Sequence, residues 1–140
     1  MTGADIRPRA AAAGVRATRQ RAAIIALLDT IDEFRSAQEL HDELRRRGEN
    51  IGLTTVYRTL QSLSTADLVD MVRTDTGESV YRSCAGSDHH HHLVCRRCGA
   101  AVEVSGREVE AWAADVAQEH GFSDVSHTIE LFGTCGQCRR

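Results

Sequence analysis

The sequence predicts an α+β chain in two parts: a helical part closed by a β-hairpin, then a small α/β part held together by metal. Three observations predict it. Apolar residues recur at helical spacing in the first half of the chain. Two short runs of strand-forming residues then flank Asp75-Thr76-Gly77, a turn with a Gly in it. Finally, seven of the twelve His and Cys residues fall within the fifteen positions from Cys84 to Cys98. Thiolates and imidazoles at that density point to metal, zinc before any other.

Residues 1–14 read as a mobile head. Thr18 precedes a first helix, in which Ile24, Leu27, Leu28 and Ile31 share one face. Ser36-Ala37-Gln38-Glu39 has the form of a capping box and opens a second helix. Ala37, Leu40 and Leu44 face inward there, Arg45, Arg46 and Arg47 suit its C-terminal end, and Gly48 stops it. A third helix runs from about Thr54 to Ser64 with Val56, Leu60 and Leu63 inward, and Val69–Arg73 and Glu78–Arg82 form the hairpin. Residues 15–83 therefore read as a winged helix-turn-helix domain, and residues 84–140 as a small α/β metal-binding unit with a four-cysteine zinc knuckle.

The outward face of the third helix carries Thr54, Arg58 and Gln61, flanked by Thr55 and Tyr57, with no carboxylate. An Arg can bond a guanine edge bidentately, and Thr or Tyr can touch a thymine methyl. A solvated face with one Arg looks similar, but the Arg-rich head favours DNA, because phosphate neutralisation needs flanking charge. Residues 1–28 carry five Arg against Asp5 alone, whereas residues 84–140 carry eight acids against five Arg, within a net charge of -3.

All seventeen basic side chains are Arg, which with the Ala richness reads as codon bias. Five Cys, four of them in C-x2-C pairs, suit a reducing compartment. Ala10 to Ala13 is too short and weakly apolar for a signal peptide, and nothing approaches a membrane span, so the protein is expected in the cytoplasm.

Cys95, Cys98, Cys135 and Cys138 are the expected structural zinc site: four thiolates close a tetrahedron and leave no open position. If the His run is extended, pleating sends His90 and His92 one way and His89 and His91 the other. His90 and His92, with Asp70 and Cys84 from the hairpin, are the expected regulatory site, spanning the join between the two parts. His89 and His91, with Glu110 on the following helix and His127 on the last strand, are a third candidate. His127 shares a mostly apolar face with Val125, Ile129 and Leu131, where a lone His is as readily a packed residue as a ligand.

The stretch Gly52-Leu53-Thr54-Thr55-Val56-Tyr57-Arg58-Thr59-Leu60, with Thr18-Arg19-Gln20-Arg21 before it and the His run and both knuckles after it, resembles the ferric uptake regulator (Fur) family. The likeness covers about residue 15 to the end. It implies a homodimeric, metal-dependent transcription factor with a winged-helix DNA-binding domain over residues 15–83 and a dimerisation domain over residues 84–140, in which Tyr57 and Arg58 touch bases while Arg16 and Arg19 approach the backbone or a narrow minor groove. Many iron-type relatives have an Asp where this chain has His91, a ligating His where it has Phe34, and a carboxylate where it has Cys84. Each change removes a hard or octahedral ligand and favours tetrahedral N/S coordination, so the chain looks like the zinc-sensing branch.

The expectation is a zinc-dependent repressor that binds palindromic operators as a dimer, carries two to three zinc ions per subunit and represses zinc-uptake genes. The C-terminal strand around Thr128–Phe132 is expected to pair across the dimer axis. A family member sensing iron, manganese or nickel, and a zinc buffer that does not bind DNA, remain the alternatives. No H-E-x-x-H or comparable pair supports a zinc hydrolase.

Overall fold

A single isoleucine organises the start of the chain. The computed structural model describes residues 6–12, 14, 18–83 and 89–140. Within it Ile6 opens helix α1 (Ile6–Ala12) and is wholly buried, and its amide donates to Asp29 Oδ1 at 3.2 Å. Ala10, one turn on, is buried beside it. Residues 6–12, which fall within the head expected over residues 1–14, form a helix that meets α2. One Ile with one Ala is too sparse a pattern to announce a helix from sequence, and only contact with α2 gives it a purpose.

Helix α2 (Arg19–Leu28) starts where the Thr18 hydroxyl accepts the Arg21 amide at 3.1 Å. Such a cap is worth about 1 kcal/mol. Helix α3 (Ala37–Arg46) has both bonds of its capping box, Glu39 N–H to Ser36 Oγ at 3.1 Å and Ser36 N–H to Glu39 Oε1 at 3.2 Å. Helix α4 (Leu53–Thr65) buries Val56, Leu60 and Leu63 completely, against Leu27, Leu28, Leu40 and Leu44 of the two preceding helices. Each inward residue expected on these helices is buried, apart from Ile31, which is partly so.

The wing is a three-stranded antiparallel sheet in the order β1 (Arg35–Ser36), β3 (Ser79–Ser83), β2 (Val69–Arg73). Its turn closes with the Thr74 amide donating to Glu78 O at 2.8 Å, and Gly77 takes a φ of +89° that favours glycine. The second hairpin strand lies one residue later than the sequence suggests, and β1 has no counterpart in the sequence pattern. It is two residues long, and a strand so short has no alternation to read.

The C-terminal sheet has β4 (His91–Cys95) at its centre, β5 (Ala101–Val104) antiparallel on one side and β6 (Glu130–Gly133) parallel on the other. Helix α5 (Arg107–His120) lies in the long crossover that a parallel pair requires, and Gly121 ends it at φ +74°. The last strand begins at Glu130, so His127 precedes it and does not sit on it. A second apolar cluster, Phe34, Val72, Val80 and Val94, with Ala101 and Phe132 against it, joins the wing to this sheet.

Candidate metal centres and nucleic-acid face

Parallel pairing of β4 with β6 sets Cys95 opposite Gly133, so the Cys135–Cys138 turn arrives beside the Cys95–Cys98 turn. That register answers how a chain thirty-six residues long between the knuckles folds back. The four sulfurs all lie within 4.8 Å of one another, Cys98 and Cys135 at 3.8 Å. A regular tetrahedron with Zn–S bonds of about 2.3 Å has edges of about 3.8 Å, so the spacing suits zinc.

Backbone N–H groups point at Cys95 Sγ, that of Cys135 at 3.3 Å and that of Arg97 at 3.4 Å. The Cys135 amide foremost, with those of Cys98 and Arg97, lowers the Cys95 thiol to about 6, into its ligating form. Cys138 is pushed up to about 12, chiefly by its hydrogen bond with Cys135. Four thiols this close cannot all ionise without a cation among them.

The join between the two parts holds the second cluster. Asp70 Oδ2, on β2, lies 2.9 Å from His90 Nε2 and 3.0 Å from His92 Nε2. His92 on β4 and His90 just ahead of it turn to one side, as an extended backbone predicts. Burial pulls the Asp70 carboxyl up, but hydrogen bonds from His92 and His90 outweigh it and hold the group below its ordinary range. The buried Nδ1 of His92 has no hydrogen-bond partner; Glu130 Oε2 stands 3.3 Å away, off line. Cys84 lies outside the described residues, so its expected place here is not described. Glu103 joins the cluster, a residue that the sequence reading missed. Its only signal is the β4–β5 register, which sets it opposite His92.

The other face of the run makes the third cluster. Glu110 Oε1 is 3.0 Å from His89 Nε2, 2.8 Å from His91 Nε2 and 3.0 Å from His127 Nε2. His89 Nε2 and His127 Nε2 are themselves 3.2 Å apart. The hydrogen bond with His91, and that with His127, hold the Glu110 carboxyl below its ordinary range against the pull of burial. His91 Nδ1 lies 3.1 Å from the Ile129 carbonyl, which accepts its proton and leaves the Nε2 lone pair for a metal. Gly106 allows this, because a Cβ there would stand 2.9 Å from the His91 ring. His127 therefore meets Glu110 and His89 through its Nε2 and is not a packed apolar residue.

On α4, Thr54, Tyr57, Arg58 and Gln61 are exposed and Thr55 half-buried, so the expected DNA-contacting set shares one open face. Arg19 is exposed at the start of α2, and Arg16 lies outside the described residues. A winged helix presenting such a face, followed by an α/β unit with ligand clusters at its knuckle, its join and its helix, defines a protein that couples metal to a DNA-binding scaffold.

The chain belongs to the ferric uptake regulator family, which residues 12–132 match. It is 74% identical over 129 residues to the zinc uptake regulation protein of Mycobacterium tuberculosis (strain ATCC 25618 / H37Rv), covering 91% of this chain and 98% of that one. It is 34% identical over 127 residues to the ferric uptake regulation protein of Neisseria meningitidis serogroup B, covering 90% and 88%. Among solved structures, the crystal structure of FurB from M. tuberculosis, a zinc uptake regulator, is 74% identical, with 92% and 99% covered and a TM-score of 0.52. The Vibrio cholerae ferric uptake regulator is 32% identical, with 94% and 100% covered, and superposes better, at a TM-score of 0.72.

Proposed function

We infer that this protein is a zinc-responsive, DNA-binding transcriptional repressor of the zinc uptake regulator branch, acting as a dimer on palindromic operators. The observation that carries the reading is the junction cluster: Asp70 comes from the wing, His90 and His92 from the C-terminal sheet. A metal held there exists only in one arrangement of the two parts. Residues 15–83 serve as the reader and residues 84–140 as the dimeriser. The 74%-identical zinc uptake regulation protein supports zinc as the signal.

Zinc bound by Cys95, Cys98, Cys135 and Cys138 supplies a closed staple. At the junction Asp70, His90, His92 and Cys84 would hold zinc; beside α5, His89, His91, Glu110 and His127 would do so, for two to three ions per subunit. Moving the reader from 1:99 to 99:1 in favour of the DNA-competent arrangement takes about 5.5 kcal/mol of differential affinity. A site formed in one arrangement only is a sufficient source. In the dimer, Tyr57 and Arg58 of each α4 meet successive major-groove half-sites, with Thr54, Thr55, Arg16 and Arg19 on flanking bases and phosphates. Occupancy of a promoter then excludes polymerase. No helix among the described residues is long and apolar enough to cross a membrane, which accords with a cytoplasmic site of action.

One observation favours a second reading. With Glu103 in the junction cluster, two carboxylates face two imidazoles, a set that suits a harder ion such as iron(II) or manganese(II). Binding of an operator fragment, titrated against buffered free zinc, iron(II) and manganese(II), separates the two. Zinc should saturate the response at the lowest free concentration, and Cys84→Ser should shift that response to higher zinc. Tight zinc-independent binding by Cys84→Ser would remove the sensor from the junction.

A further inference from the structure

The staple is not insulated from the reader. The Phe34 amide donates to Gly99 O at 2.8 Å, and Arg35 Nη1 donates to Cys98 O at 2.9 Å. From the wing tip, Asp75 Oδ2 meets Arg96 Nε at 2.6 Å. All three contacts land on the Cys95–Gly99 turn, the first half of the four-cysteine knuckle. Phe34 sits between them, 2% exposed and packed on Val94, with its ring meeting that of His92 edge-on at 5.1 Å between centroids. One short segment ahead of α3 thus touches both the knuckle and a junction ligand.

Gly99 makes the approach possible. It has a φ of +78°, and a Cβ on it would collide with the Phe34 carbonyl oxygen. The turn's shape is set by closing four sulfurs into a tetrahedron, since Cys95 and Cys98 are its ends. None of the three contacts uses a junction ligand. Yet each is made in the arrangement that brings Asp70 within 3.0 Å of both imidazoles.

We propose that the Arg96–Gly99 turn is a docking latch for the winged helix, gripped by Phe34, Arg35 and Asp75, so that the knuckle sets the metal affinity of the junction. A junction that is competent only when docked has its apparent affinity reduced by the docked fraction. Linkage makes the effect mutual: zinc at the junction tightens the latch by the same factor. The staple therefore acts twice, holding its own unit together and raising the sensor's affinity for zinc. This rests on the junction reading above for its consequence, but docking itself is measured without DNA.

The test uses the full-length, dimeric protein with zinc in its knuckle. Amide hydrogen exchange at Phe34 reports the latch, and chelator competition reports the more weakly held zinc. Gly99→Ala should leave one tightly held zinc and the dimer mass unchanged, while Phe34 loses protection and the weaker zinc affinity falls roughly tenfold. Arg35→Met with Asp75→Ala should move both readouts in the same direction, and combining them with Gly99→Ala should add little further. Gly99→Ala with wild-type protection and zinc affinity would overturn the latch. Should Gly99→Ala lose its knuckle zinc, the Arg35→Met/Asp75→Ala protein decides alone, and wild-type values in it would overturn the latch equally. A wild-type protein without zinc-dependent DNA binding, whose variants nonetheless shift both readouts as expected, would count against the repressor reading and leave the latch standing.

Discussion

Helices α4 and α5 are of nearly equal length, thirteen and fourteen residues, yet α4 has four buried residues and α5 none. The contrast extends to the parts that carry them. The first part closes on a continuous aliphatic core from Ile6 to Tyr81, whereas no residue from Arg96 to Arg140 is buried. Instead the second part exposes Leu93, Val102, Trp112, Val116, Phe122, Val125 and Leu131. A unit this small gains too little from its own apolar burial to offset chain entropy. Metal and a second copy of the chain are the remedies its surface invites. A part closed on its own apolar core has less need of a ligand than one whose large apolar side chains stay in solvent.

The largest expected effect falls on the metal-held part. Cys98→Ser opens the knuckle, where a structural zinc would supply on the order of 10–16 kcal/mol of binding energy to folding. Sedimentation should show dissociated or aggregated chains, and a dimeric variant that still binds DNA would break the contrast. In the reader, Leu60→Ala empties a fully buried site and should cost about 2–5 kcal/mol in thermal unfolding of the reader. Trp112→Ala, on the exposed face of α5, should weaken self-association and leave the reader's unfolding midpoint unmoved.

Arg58→Ala should raise the operator dissociation constant by roughly tenfold to a hundredfold, the scale of one lost base contact of about 1–3 kcal/mol, with zinc binding unaltered. The smallest effect concerns acid. Burial raises the Asp70 carboxyl, yet His92 and His90 carry it below its ordinary value. A carboxyl depressed in the fold contributes stability that is present above its unfolded pKa and lost as the pH falls through the folded one. In zinc-free protein, Asp70→Asn should remove that acid-side step from the stability profile measured by denaturant titration.

How much of this was legible beforehand depends on the kind of signal. Ile24, Leu27, Leu28, Leu40, Leu44, Val56, Leu60 and Leu63 announce their helices because a 3.6-residue period needs no knowledge of the partner. Ser36 and Glu39 are legible for the same reason, since a capping box closes within one turn. The pleat of the His run separates His90 and His92 from His89 and His91 by a rule as local. Ile6 and the short strand Arg35–Ser36 gave no such warning, because what they pair with is remote in sequence.

From its order of residues alone this chain determined helices α2, α3 and α4, the two C-x2-C pairs of thiolates and the two-way sorting of its imidazoles, because spacing and alternation act over a few residues. Only the tertiary structure decided that Glu103 stands opposite His92, that Ile129 O orients His91, and that Phe34 and Arg35 dock on the Cys98–Gly99 turn. Those pairings depend on strand register and on the meeting of two parts. Register and docking are settled by the summed packing of many distant side chains, which no local pattern encodes.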